Sequence, residues 1–200
     1  MEKRIENIFR SNGGTVSMSY AIKNGISRYT LYSLLDKGEI KQLSRGIYRL
    51  ATLPSINEPD IAVTSLRFPK SVICLISALF FHKITTQIPH FVYVAIPRRT
   101  RQIKLDYPPT QAFNFSESSY NAGIEEYMID GIKAKVYSPE KTIADCFKFR
   151  NKIGLDVALE ALKLYQKRGG SDINKILKFA KICRVDNIVK PYMEIFYESY

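Results

Sequence analysis

GISRYTLYSLLDKGEIKQLSRGIYRL, from Gly25 to Leu50, decides the architecture of the first part of the chain. Gly25 suits the left-handed turn that ends one helix, and Ser27 is an N-cap for the next. Leu31, Leu34 and Leu35 recur at helical spacing, which predicts a helix from Arg28 to Lys37, stopped by Gly38. Ile40–Leu43 and Ile47–Leu50 flank the short turn Ser44-Arg45-Gly46, which predicts a hairpin. Upstream, Ile5, Ile8 and Phe9 mark an amphipathic helix over residues 2–11, stopped by Gly13 and Gly14. Ser17 caps a short second helix through Ala21 to Asn24, with Met18, Ala21 and Ile22 facing inward. Two helices joined by a tight glycine turn have helix-turn-helix spacing. The hairpin adds a wing, so a winged helix-turn-helix is expected.

A recognition helix presents its N-terminal residues to base edges in the major groove. Here these are Ser27, Arg28, Tyr29 and Thr30, with Tyr32 and Ser33 one turn on. Arg28 can donate two hydrogen bonds to a guanine. The wing carries Lys41, Arg45 and Arg49, and Arg45 at its tip suits the minor groove or a phosphate. The first 50 residues hold nine basic and four acidic side chains, against twenty-one and fifteen in the remaining 150. Positive charge is therefore densest where duplex contact is expected. The bland alternative is a solvated face of a protein-interaction module; cations on both helix and wing tip favour DNA. Glu39-Ile40-Lys41 has the spacing of half a metal-dependent nuclease motif, but without an upstream acidic partner it is a chance match.

The whole chain of 200 residues carries a net charge of +11. That excess favours a polyanionic partner, nucleic acid or an anionic membrane surface. Apolar residues at 46% and charged residues at 24% exclude disordered and fibrous classes. Cys74, Cys146 and Cys183 are odd in number, far apart and set in apolar stretches, so buried thiols of a reducing compartment are expected. With no Cys-x-x-Cys pair, and only His82 and His90, no metal site or cofactor is expected. Residues 1–10 lack the apolar core of a signal peptide. The longest apolar run, Val72–Phe81, is half the ~20 residues of a membrane span. The expectation is a soluble cytoplasmic protein without a membrane partner.

A connector with two prolines, Ala51–Pro59, divides the chain. The expected domains are 1–52, winged, and 58–200, a larger mixed α+β domain with a small sheet and a helical C-terminal part. Pro59 opens a helix through Phe68. Val72–Ile84 is nearly all apolar, and its length and Ala-Leu content favour a helix. Phe91–Ile96 reads as a central strand, followed by Gln111–Phe115, Ile124–Ile129 and Ile132–Tyr137, the last two joined by the turn Asp130-Gly131. The sheet is expected to be mixed or antiparallel. Helices follow from Pro139, capped by Ser138, over Asp156–Arg168, after Ser171 or Asp172, and over Asp186–Tyr197.

No nucleophile and base constellation holds up, and Gly169-Gly170 is too short for a phosphate loop, so the chain is not read as an enzyme. Asp145 is read as a structural ion-pair partner of Lys141 or of a basic group elsewhere. The segment after the Phe91–Ile96 strand carries Arg98, Arg99, Arg101 and Lys104, an auxiliary anion-binding candidate or a solvated loop.

Five stretches carry a family resemblance: Gly25–Ser27 with Gly38–Tyr48; Ile73–His82 with Val92–Arg98; and Val136–Cys146, which includes Ser-Pro-Glu-Lys-Thr-Ile-Ala-Asp. Over nearly its whole length the chain resembles the AbiEi-type antitoxins of abortive-infection systems. The resemblance implies a bacterial type IV toxin–antitoxin component. Its winged domain would bind an operator with inverted repeats in double-stranded DNA and repress its own operon. Its larger domain would counter a nucleotidyltransferase-like toxin, a functional partner without a stable complex. Arg28 and Tyr29 would fall on the recognition helix and Arg45 on the wing. Two other readings are weighed beside it: a nuclease targeted by the winged domain, and a non-catalytic protein-interaction module.

Overall fold

The computed structural model describes residues 1–100, 105 and 107–197. The chain folds into two compact units. One holds residues 1–70, 105, 107–108 and 126–134; the other holds 71–100, 109–125 and 135–197.

In the first unit the order is α1 (Lys3–Arg10), β1 (Thr15–Ser17), α2 (Met18–Lys23), α3 (Arg28–Asp36), β2 (Ile40–Ser44), β3 (Ile47–Leu50) and α4 (Pro59–Arg67). The helix-turn-helix and wing form as expected. The reasons are local. Ser17 and Ser27 accept hydrogen bonds from the backbone N–H groups of Tyr20 and Thr30 and so cap α2 and α3. Gly25 sits at φ +85°, a region costly for a side-chain-bearing residue. Leu31, Leu34, Phe9, Ala21 and Ile26 are buried together beneath the helices. Two expectations are corrected. Ile22 is 42% exposed rather than inward, because the six-residue α2 turns only Ala21 fully into the core. A strand, β1, precedes α2 and pairs antiparallel with β3, so the sheet order is β1-β3-β2 and β3 is central. The tip residues Asp130 and Gly131 also belong to this unit. Asp130 Oδ2 accepts from the backbone N–H of Asn57 at 2.9 Å. Gly131 and Gly13 pass so closely that a Cβ on either would collide with the backbone of the other.

The second sheet is five-stranded and mixed. Its strands are β4 (Val72–Ile73), β5 (Val92–Pro97), β6 (Thr110–Phe115), β7 (Ile124–Ile129) and β8 (Ile132–Tyr137), in the order β6-β5-β4-β8-β7. The pair β4–β5 is antiparallel, while β4–β8 and β5–β6 are parallel. The expected Val72–Ile84 helix is therefore shorter. Its first two β-branched residues form the middle strand, and α5 covers Leu75–Phe81. Phe91–Ile96 is interior but not central. A short helix, α6 (Glu117–Asn121), lies between β6 and β7. The C-terminal part is α7 (Pro139–Lys148), α8 (Arg150–Ile153), α9 (Leu155–Lys167), α10 (Ile173–Cys183) and α11 (Asp186–Tyr197). Ser138 and Asp172 cap α7 and α10. The core joins sheet residues such as Ala95 and Phe115 to Phe147, Leu162 and Ile176.

Asp145 pairs with Lys141. The Lys141 ammonium lies 2.5 Å from Asp145 Oδ2, and both side chains are fully buried. Tyr137 and Phe115 present their ring faces to that ammonium at 4.1 and 5.0 Å. The Cys183 thiol donates to Asp145 Oδ1. All three cysteines are free and buried, and burial pushes each thiol up, Cys183 to about 11.

Candidate nucleic-acid interface

The exposed face of the first unit starts at the α3 N-terminus. The cap consumes part of what the sequence offers there. The Ser27 and Thr30 hydroxyls lie 2.8 Å apart, and Ser27 also accepts from the Thr30 N–H at 3.0 Å. Their first role is to hold the helix start. Arg28, Tyr29 and Tyr32 project outward, Tyr29 with 83% of its surface exposed, whereas Ser33 is half-buried. On the wing, Lys41 and Arg45 are exposed.

Arg49 does not belong with them. It is 5% exposed. Its guanidinium donates to Thr15 Oγ1 at 2.8 Å, to the Pro54 carbonyl at 3.2 Å and to the Gly13 carbonyl at 3.3 Å. Arg49 stands opposite Thr15 of β1, whose hydroxyl with the Gly13 and Pro54 carbonyls supplies the acceptors that hold it in. The residue ties the connector to the sheet and is removed from the expected contact set.

Arg28, Tyr32 and Arg45 come together along a groove of about 980 Å³, lined by α2, α3, the wing and the end of α4. Among the described residues Lys23 and Arg67 complete four cations, each from a different element, and no carboxylate lines the groove. Ser17, Ser19 and Gln42 add neutral polar groups. Near its base, burial pushes the Tyr48 phenol up, with the neighbouring Tyr32 adding to the shift. Neither Lys23 nor Arg67 was singled out in the sequence. Lys23 ends α2 on its exposed side and could have been found from helical phase. Arg67 had no local signal: it reaches the groove because α4 packs on β1 and β2. Tyr29 and Lys41 are exposed but do not line the groove.

In the second unit, Arg98 and Arg99 follow β5 and are exposed, Arg99 at φ +69°. Arg101 and Lys104 lie outside the described residues. Among the described residues no His, Cys, Asp and Glu group could hold a metal ion, and no helix is long and apolar enough to cross a membrane.

Residues 3–51 match the family described as "Transcriptional regulator, AbiEi antitoxin". Over that segment the resemblance read from the sequence is borne out, as is the mixed α+β class with its winged start. No curated protein matches the chain. Among solved structures, the crystal structure of the RV2827C protein from Mycobacterium tuberculosis is similar with a TM-score of 0.52 at 11% identity, covering 94% of this chain and 78% of that one. At that identity the likeness is one of fold.

Proposed function

We propose that the chain is an antitoxin and an autoregulatory, DNA-binding transcriptional repressor of a type IV toxin–antitoxin operon. The α3 N-terminus enters the major groove of an operator with inverted repeats, with Arg28, Tyr29 and Tyr32 at the base edges. Arg45 and Lys41 on the wing engage the backbone or the minor groove. Ser27 and Thr30 hold the helix start, and Ser33 lies one turn on. Occupying the operator blocks transcription. The larger domain, the part of residues 58–200 that forms the second unit, counters a nucleotidyltransferase-like toxin without a stable complex. Arg98 and Arg99, with Arg101 and Lys104, add an auxiliary anion contact. No catalytic step is assigned to the chain.

One observation carries the reading: a groove that among the described residues is lined by four cations and no carboxylate, in a unit whose residues 3–51 match a family of transcriptional regulators. The test is a gel-shift titration on the DNA upstream of the chain's own reading frame. Arg28→Ala with Arg45→Ala is expected to weaken binding by at least about tenfold, as loss of one bidentate base contact alone would. Unchanged affinity at low salt refutes the DNA assignment.

A further inference from the structure

Arg67 lies outside residues 3–51, the segment matched to transcriptional regulators, yet it lines the same groove as Arg28 and Arg45. It is the last residue of α4 and is exposed. Its guanidinium lies against the wing turn: a Cβ on Gly46 would sit 3.4 Å from Arg67 Nη1. Arg45, the residue before that glycine, lines the groove too. A helix end and a wing tip thus each place an arginine at the rim of one groove, whose lining among the described residues holds no acidic side chain.

The chemistry of that rim differs from that of the α3 start. Arginines lining a groove that shows no carboxylate among the described residues suit a phosphodiester, whose oxygens accept paired hydrogen bonds. Tyr29 stands apart, 83% exposed and outside the groove lining, where it can meet bases. We infer that Arg67 is a backbone-phosphate contact: with Arg45 it seats one phosphodiester of duplex DNA beside the wing, so that α4 is part of the DNA-binding surface and fixes its register without reading sequence. This rests on the DNA-binding reading above and adds to it a residue, an element and a ligand group.

The experiment measures fluorescence anisotropy of the full chain with two labelled duplexes, the DNA upstream of its reading frame and a shuffled duplex of equal length. Each titration is repeated across a salt series. Arg67→Ala is expected to weaken both duplexes by the same factor and to lower the slope of log affinity against log salt by about 0.9. The ratio of wild-type to variant affinity should then shrink about 3.5-fold between about 50 and 200 mM salt. Arg67→Lys keeps the charge and is expected to retain the slope, which separates a phosphate contact from loss of fold. The inference is overturned, and the DNA reading kept, if Arg67→Ala leaves affinity and slope unchanged while Arg28→Ala with Arg45→Ala loses binding. It is also overturned if Arg67→Ala weakens only the upstream duplex, since the residue would then read bases. If the wild-type chain binds neither duplex, the DNA reading itself falls.

Discussion

Removing the Asp145 charge tests how the second unit tolerates a wholly buried ion pair. The Lys141 ammonium and the Asp145 carboxylate lie 2.5 Å apart with no solvent exposure. At an effective dielectric of about 20, two unit charges at that distance attract by about 6–7 kcal/mol. Desolvation takes back several kcal/mol for each ion, so the net worth of the pair against apolar residues is near zero. Breaking it is another matter. Asp145→Asn keeps the shape and an acceptor for the Cys183 thiol, but it leaves an ammonium among Tyr137, Phe115 and the sheet without a counter-charge. The expected loss is about 3–5 kcal/mol, towards the lower end because two ring faces already solvate the cation. With an m-value of about 2 kcal/mol/M, the urea midpoint should fall by about 1.5–2.5 M. The chain has no tryptophan, so far-UV circular dichroism is the probe. The double variant Lys141→Met with Asp145→Leu should recover most of the loss. A single variant costing under about 1 kcal/mol, or a double variant as unstable as the single, would refute the ion-pair account.

Two further outcomes follow from buried groups. His82 donates from Nε2 to the Tyr137 carbonyl at 2.7 Å, and burial holds its pKa below the ordinary value. The unfolded chain then binds more protons between the lowered pKa and about 6.5, so stability falls as pH drops through that window, by at most about 1.4 kcal/mol per unit. His82→Gln should flatten this dependence in urea titrations run from neutral to mildly acid pH. Arg49→Met removes three hydrogen bonds from a charged donor and should cost the first unit about 2–4 kcal/mol by thermal melt. At temperatures where the variant is folded, its salt slope on DNA should match the wild type, because Arg49 meets no phosphate.

What could be read from the sequence was local. The caps at Ser17, Ser27 and Ser138 and the glycine stop at Gly25 depend on contacts three or four residues away, and all formed. So did the hairpins, whose turns declare themselves at Gly46 and Asp130-Gly131. What could not be read was pairing at a distance, and one omission caused another. β1 is three residues long, too short for an alternation signal, and its partner lies more than thirty residues on. Without β1, β3 is an edge strand and Arg49 lacks the Thr15 acceptor opposite it, so the wing reading grouped it with Lys41. With β1, β3 has a neighbour on each side and Arg49 turns inward to Thr15. The sheet that buries Arg49 also supports α4, which packs on β1 and β2 and carries Arg67 to the wing. The two arginines have the same charge, yet Arg49, expected on the wing surface, is buried, and Arg67, which no local signal marked, lines the groove. Acceptors around Arg49 and open groove beside Arg67 decide which of them is left for a polyanion, and β1 contributes to both, through Thr15 and by packing against α4.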